Sequence, residues 1–303
     1  MKIAISTSSF ASIDSTPLDL LENKGLEVVS NPFGRKLTED EIINHLQGRD
    51  GLLAGLEPLN SNVFQNCPEL KAIARVGIGM DNVDLDAAKI AGIKVSNTPD
   101  SPTHAVAEMT LAAALNLSRN ILSANAALHQ KKWTKTIGMG LKNTNVLFIG
   151  YGRIGRRTAE LFRALGSHII VYDPALSQDD LHLGEELMEL KDGLNSADII
   201  TLHAGGTLPI LTASEFEMMK DNVIILNSAR GSLIDEDALI KALASGKVAS
   251  AWLDVFPEEP YIGKLTEYCQ VLLTPHISTY TVQCRRDMEI AAANNLLCDL
   301  GID

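Results

Sequence analysis

Three glycines at a fixed spacing, Gly150, Gly152 and Gly155 in "VLFIGYGRIG", sit where an apolar run meets an amphipathic one. Val146–Ile149 reads as a strand, and the stretch from Arg153 reads as a helix closed by Gly166. The G-x-G-x-x-G pattern therefore falls on a strand-to-helix turn. There Gly150 permits a tight turn, Gly152 keeps a side chain out of an approaching ligand's way, and Gly155 lets the helix pack closely on the strand. The N–H groups at the helix start, near Arg153 and Ile154, would face an anion with the helix dipole behind them. The glycines alone fit a purely structural turn as well. Asp173, at the end of the next apolar run in "VYDP", narrows the reading. An acidic side chain there accepts hydrogen bonds from both hydroxyls of an adenosine ribose and repels a 2′-phosphate. Its plainer role is that of a turn former before Pro174. Together these residues point to a pyrophosphate-bearing dinucleotide, and to NAD over NADP.

A dinucleotide needs a reaction. Arg230 follows the apolar run "NVIILNSA", Glu259 follows "WLDVFPE" and His276 follows "VLLTP". Open α/β sheets bind ligands at the carboxyl ends of their strands. Taken singly, these are a surface arginine, one of a solvated glutamate pair and a turn histidine. Taken together at sheet ends, they suit carboxylate recognition and proton transfer.

The elements that must position them alternate. Strands are expected at Lys2–Ile5, Leu26–Val29, Gly51–Ala54, Leu70–Arg75 and Ile93–Val95. Helical patterns lie between them: "TEDEIINHLQ" with Thr38 and Glu41 as a capping box, "NSNVFQNC", and "DLDAAKIAG" with Asp84 as its cap and Gly92 at its end. Five such strands suit a flavodoxin-like parallel layer. Alternation resumes at Thr144 with "NVLFIG", "HIIVYD", "ADIITLH", "NVIILN", "ASAWLDV" and "QVLLT" as strands. Between the two rounds, His104–Leu122 is apolar or small on nearly every face, which predicts a helix buried all round. The last helical stretch, Val282–Leu300, has no strand of its own and is expected to return to the first domain. The fold class is therefore α/β, with two Rossmann-like or flavodoxin-like parallel-sheet domains and the active site in the cleft between them.

The 303 residues carry a net charge of −12, which argues against nucleic acid or an anionic membrane surface as partner. No signal segment opens the chain and no apolar run is long enough to span a membrane. Cys67, Cys269, Cys284 and Cys298 show no metal-ligand or disulfide spacing, so no metal is expected, and thiols in a reducing cytoplasm are the natural reading.

Six segments in order carry a resemblance: "RVGIGMDNVDL", "GIKVSNTPDSPTHAVAEMTLAAALNLSRNI", "IGYGRIG", "NSARGSLIDEDALIKAL", "AWLDVFPEEP" and "TPHIST". They resemble the successive signatures of the D-2-hydroxyacid dehydrogenases over nearly the whole chain. The nearest branch is D-3-phosphoglycerate dehydrogenase, on "AGLEPLNSNVF" and "RVGIGMDNVD".

The resemblance implies hydride transfer between NAD(H) and a small 2-hydroxy or 2-oxo acid, with D-3-phosphoglycerate as a candidate substrate. It implies a catalytic trio at Arg230, Glu259 and His276: a fork for the substrate carboxylate, an orienting carboxylate, and a general acid/base. It places Arg153, Ile154 and Asp173 on the cofactor with the three glycines, His203 and Ala204 on its adenine side, and Ser228, Ala229 and Arg230 beside the nicotinamide. Asp254 is expected to reach the carboxamide. The backbone of Val76 and Gly77 would grip the substrate carboxylate, and Arg75, or Lys131 and Lys132 of a neighbouring subunit, would meet a phosphate. A substrate-binding domain would span 1–98 and 283–303, and an NAD-binding domain 99–282, with the homodimer formed through the cofactor domain by His104–Leu122 and "HQKKWTKTIGMG".

Three segments depart from the family pattern. The loop "AGGTLPIL" after His203 is about three residues short. Ser278 and Thr279 replace two glycines, and Gly55–Leu56 stand where phosphoglycerate enzymes place a basic and a hydroxyl residue. A chain stopping at 303 is expected to lack serine-sensing regulatory domains. Glutamate rather than glutamine at 259 disfavours the formate dehydrogenase branch. The alternatives are a glyoxylate/hydroxypyruvate-type reductase and an NADH-sensing corepressor-like binding protein.

Overall fold

Short apolar strands separated by well-capped helices build the first half of the chain. In the computed structural model, which describes residues 1–302, the strands are β1 (Lys2–Ile5), β2 (Glu27–Val29), β3 (Gly51–Ala54), β4 (Ala72–Arg75) and β5 (Lys94–Ser96). The helices between them are α1 (Thr16–Glu22), α2 (Glu39–Leu46), α3 (Ser61–Asn66) and α4 (Leu85–Ile90). Thr38 and Glu41 form the expected reciprocal capping box on α2. The Asp84 side chain accepts from Ala87 N at 2.9 Å to start α4, and Gly92 lies just beyond that helix at φ +74°. Helix α1 was not anticipated, because "STPLDLLE" offers only Pro17 and Leu21 to the core.

All pairings in this sheet are parallel, in the order β2-β1-β3-β4-β5. The order reverses between β1 and β3, the point where such sheets receive ligands.

The second round begins with α5 (Pro102–Arg119) and α6 (Ile121–His129). Seven strands follow: β6 (Asn145–Ile149), β7 (His168–Tyr172), β8 (Glu185–Leu187), β9 (Ile199–Leu202), β10 (Val223–Asn227), β11 (Val248–Leu253) and β12 (Val271–Leu273). They alternate with α7 (Arg153–Ala164), α8 (Leu190–Ser196), α9 (Ala213–Met218) and α10 (Glu236–Ser245). The sheet is parallel throughout in the order β12-β11-β10-β9-β6-β7-β8, so β6 lies at the switch between β9 and β7. Its core is the aliphatic face of β6, β9, β10 and β11 against α8, α9 and α10.

The helix α11 (Val282–Leu300) closes the chain. Gly51 of β3 leaves room for it: a Cβ there would come within 3.1 Å of Leu296. The chain thus divides into Met1–Pro102 with the stretch from Tyr280, and Thr103–Thr279.

Two expectations are corrected. The helix from His104 is not buried all round and does not run to Leu122. It ends at Asn120, whose left-handed backbone (φ 54°) turns the chain into α6. Ala105, Val106, Ala107, Ala113 and Ala114 are buried, but Glu108, Ala112 and Leu115 face outward. Small residues on every face let the helix lie close to its neighbours on one side without requiring burial on the other. Strand β8 was missed because its residues read as polar. Glu185 is only 4% exposed, and its charge is met by Arg163 at 2.5 Å and the His182 N–H at 3.0 Å.

Candidate active site

The glycine turn shows which glycines the protein itself requires. Gly150 has φ +90°, and a Cβ on it would fall 2.5 Å from Ala204 N. A Cβ on Gly155 would fall 2.6 Å from Gly150 O. Packing within the chain explains both. Gly152 differs: it caps α7, and its missing Cβ would meet nothing within 4 Å. No neighbour in the chain demands glycine there, so the position suits backbone that must approach a ligand. Arg153 and Ile154 open α7 beside it, where the first N–H groups of a helix lack intrahelical partners.

Asp173 is fixed at the rim of this turn. Its two carboxylate oxygens accept the N–H groups of Tyr151 at 2.8 Å and Ala175 at 3.0 Å, leaving further lone pairs for ribose hydroxyls. His203 and Ala204 cross directly over Gly150. The His203 ring stacks on Phe148 with centroids 5.9 Å apart, and its Nε2 lies 2.9 Å from Thr201 Oγ1. Burial pushes this imidazole down to about 3, so it is neutral at ordinary pH. These residues fit a nicotinamide dinucleotide whose pyrophosphate meets bare backbone at Gly152.

The trio lies on three loops at the carboxyl ends of β10, β11 and β12. Arg230 follows β10 in extended conformation, and its Nη1 donates to Ala229 O at 2.7 Å. Asn227, 1% exposed, clamps this loop: its Nδ2 donates to Arg230 O at 2.8 Å, and its Oδ1 accepts from Ala229 N at 3.0 Å. Gly231 then presses on the next loop, since a Cβ there would lie 2.0 Å from the Phe256 carbonyl carbon. That second loop carries Glu259, whose Oε1 accepts from Phe256 N at 3.1 Å. Its Oε2 lies 3.0 Å from His276 Nδ1. Both side chains are part-exposed, 30% and 40%, so the pair faces an accessible surface. Ser228 Oγ lies 3.4 Å from Thr110 Oγ1 of α5.

Asp254 directly follows β11. It is wholly buried, and its carboxylate accepts from Thr274 Oγ1, Ile277 N and Ser278 N at 2.6, 2.9 and 2.9 Å. It holds the loop that carries His276. The clamp residues Asn227 and Gly231 escaped the sequence reading. The available signal was an asparagine ending an otherwise apolar strand and a glycine directly after the arginine.

In the first unit, the backbone expected to grip the substrate carboxylate follows β4. The Val76 N–H donates to Ala54 O at 2.9 Å, and the Gly77 N–H donates to Thr98 Oγ1 at 2.8 Å and to Arg75 O at 3.1 Å. Neither donor is left for a ligand. Arg75 folds back on the same loop. Its Nη1 donates to Val76 O at 2.6 Å and fills the place a Gly77 Cβ would take. Glu57, 1% exposed, accepts from Ser6 Oγ and from Gly55 N at 3.1 Å, and burial raises its carboxyl pKa. Lys131 and Lys132 lie exposed after α6. Among the described residues, no cluster of His, Cys, Asp or Glu is arranged to hold a metal ion, and no helix is long and apolar enough to cross a membrane.

Two parallel sheets, a dinucleotide turn at the switch of the larger one and a His–Glu pair beside an arginine loop define a nicotinamide-dependent dehydrogenase. The chain belongs to the D-isomer specific 2-hydroxyacid dehydrogenases: the model of that family's NAD binding domain matches residues 111–278. It is 36% identical over 301 residues to a hydroxypyruvate reductase of Thermotoga maritima, covering 96% of both chains. It is 36% identical over 290 residues to the D-3-phosphoglycerate dehydrogenase of Sus scrofa, covering 92% of this chain but 54% of that one. Among solved structures, the apo D-lactate dehydrogenase of Escherichia coli superposes with a TM-score of 0.86 at 27% identity, covering 100% of this chain and 98% of that one. The protein is an oxidoreductase that acts on CH–OH donors with NAD.

Proposed function

We propose that this dehydrogenase works on a small unphosphorylated 2-oxo acid of the hydroxypyruvate or glyoxylate type. The observation that carries this reading is the charge balance of the first unit. In that unit Arg35 pairs with Glu41 at 2.7 Å, Arg285 with Glu289 at 2.6 Å and Arg286 with Asp14 at 3.2 Å. The wholly buried Glu57 sits where the order of β1 and β3 reverses. A phosphate dianion needs cations not already neutralised by carboxylates. Here each of these guanidinium groups has a carboxylate partner. The hydroxypyruvate reductase covered end to end supports the same reading.

In this reading, the Arg230 guanidinium forks onto the substrate carboxylate and fixes its orientation. Glu259 accepts the proton of His276 Nδ1, so Nε2 is the atom that delivers a proton to the 2-oxo oxygen and takes it back in the reverse direction. NADH, when bound at the Gly152 turn, supplies the hydride to C2. The clamp from Asn227 keeps Arg230 still while the oxo acid is held.

NADH oxidation measured in parallel with hydroxypyruvate, glyoxylate, pyruvate, 2-oxoglutarate and phosphohydroxypyruvate tests this reading. Preference for one of the unphosphorylated acids is expected. Preference for the phosphorylated one would overturn it, and no turnover with any acid would favour the corepressor-like alternative.

The partner proposed for α6 and the following arm is a second copy of the chain. Helix α6 buries none of its residues, and Ile121, Leu122, Leu128, Trp133 and Ile137 are 49% to 100% exposed. Covering such apolar surface is what a symmetric interface does, and light scattering on the intact chain reads it directly. All four cysteines are free thiols, in keeping with a cytoplasmic compartment.

A further inference from the structure

The loop that carries His276 is held by a chain of hydrogen bonds whose direction is forced. Trp252 lies wholly buried on β11, and its indole can only donate. Its Nε1 is 2.9 Å from Thr274 Oγ1, so the hydroxyl oxygen is the acceptor there. The single hydroxyl proton is then committed to Asp254 Oδ1, 2.6 Å away. Asp254 in turn receives Ile277 N on the same oxygen and Ser278 N on Oδ2, both at 2.9 Å.

Between these anchors sits His276. Its own N–H donates to Thr274 O at 2.9 Å, and its backbone is left-handed, φ +53°. A non-glycine residue keeps such a backbone only where its surroundings impose it. Glu259 reaches the imidazole from a different loop, five positions beyond Asp254. The 3.0 Å contact between Glu259 Oε2 and His276 Nδ1 therefore requires both loops to stand in register, and Asp254 is the residue that ties them together.

We propose that Thr274 is a positioning residue for the acid/base. Its hydroxyl, oriented by the Trp252 indole, locks the Asp254 carboxylate and so sets the His276 imidazole against Glu259. The proposal rests on the reading of His276 as the proton carrier. Replacing the hydroxyl by a methyl group leaves a buried indole N–H without an acceptor and a buried carboxylate one donor short. The loop can then relax from its left-handed turn.

The test compares Thr274→Val with Thr274→Ser in the full chain. Thr274→Val should lower kcat about 10- to 100-fold, with KM and the Kd for NADH within about threefold, because orientation and not binding is lost. It should also move the His276 Cε1–H resonance, assigned by its absence in His276→Asn. Thr274→Ser, which keeps the hydroxyl, should return kcat to within about threefold of wild type and restore the resonance. A Thr274→Val protein with wild-type kcat and resonance overturns the proposal, and so does a serine variant as impaired as the valine one. Should Thr274→Val not fold, Trp252→Phe takes its place. A moved resonance supports the relay, and an unmoved one overturns it. If the wild-type chain reduces no 2-oxo acid, the functional reading fails, while the resonances still decide whether Thr274 sets the imidazole.

Discussion

Both units put a glycine-rich loop directly after a strand, and the two loops use their glycines in opposite ways. After β4, the Gly77 N–H goes to Thr98 Oγ1, Thr98 N returns a bond to Gly77 O at 3.0 Å, and the Arg75 guanidinium fills the space a side chain would take. That loop is closed on itself. After β6, Gly152 leaves its Cβ direction open at the start of a helix. Composition does not separate "VGIG" from "GYGRIG". What separates them is where the N–H groups go and what occupies the missing side-chain volume. At Gly77 the missing side-chain volume is filled and the N–H bonded, whereas at Gly152 that volume is open at the start of a helix.

The sharpest break of the comparison sets the proton carrier of the second unit against the closed loop of the first. His276→Asn should cut kcat by about 10²- to 10⁴-fold while the melting temperature and NADH affinity hold. Thr98→Val removes the acceptor of a buried N–H and should cost about 1–3 kcal/mol in stability, read by urea unfolding, with kcat within about threefold. If His276→Asn turned over normally, or if Thr98→Val lost activity without losing stability, the division of labour between the loops would be wrong.

The glycines themselves give the next test. At Gly152 the backbone is ordinary, φ −73°, and a methyl group meets no atom, so Gly152→Ala should fold normally. It should nonetheless weaken NADH binding by about tenfold or more, because the methyl lies where the pyrophosphate must approach. Gly77→Ala faces φ +138° and the Arg75 guanidinium, and should cost about 1–3 kcal/mol. Calorimetry with and without NADH distinguishes the two. Equal NADH affinity in Gly152→Ala and wild type would remove that glycine from the cofactor site.

Much of this architecture was legible in the sequence because local signals and burial agreed. The short apolar runs in "KIAI" and "NVLFI", the capping box at Thr38 and Glu41 and the glycines closing α4 and α7 all point the same way as the final packing. The pairing of Glu259 with His276 came through the family resemblance, and the structure places them in contact. What the sequence did not show has a common cause. Strand β8 depends on Arg163, a helix residue 22 positions before Glu185, to neutralise a buried carboxylate. The donors of Val76 and Gly77 are taken by Ala54 and Thr98, and Asp254 is claimed by the loop after β12. Each is a polar group whose role is decided by a partner distant in sequence, and spacing carries no record of such partners.

The last contrast concerns the buried titratable group of each unit, and it has opposite sign in the two. Burial holds His203 near 3, below its ordinary 6.5, so below pH 6.5 the unfolded chain takes up a proton that the folded one refuses. Stability from this group is full above 6.5 and declines as pH falls toward 3, by at most about 1.4 kcal/mol per pH unit. Glu57 is the reverse. Its carboxyl is raised above the ordinary 4.5 by burial, so the folded chain keeps a proton that the unfolded one has released. Its contribution is full below 4.5 and declines as pH rises through the folded value. His203→Gln should therefore flatten the acid limb of a urea-stability profile, and Glu57→Gln should flatten the profile just above 4.5, leaving the other limb intact in each case. Were both substitutions to alter the same limb, the two buried groups could not carry opposite protonation costs, and the contrast between a second unit built around a neutral base and a first unit built around a reluctant acid would have to be given up.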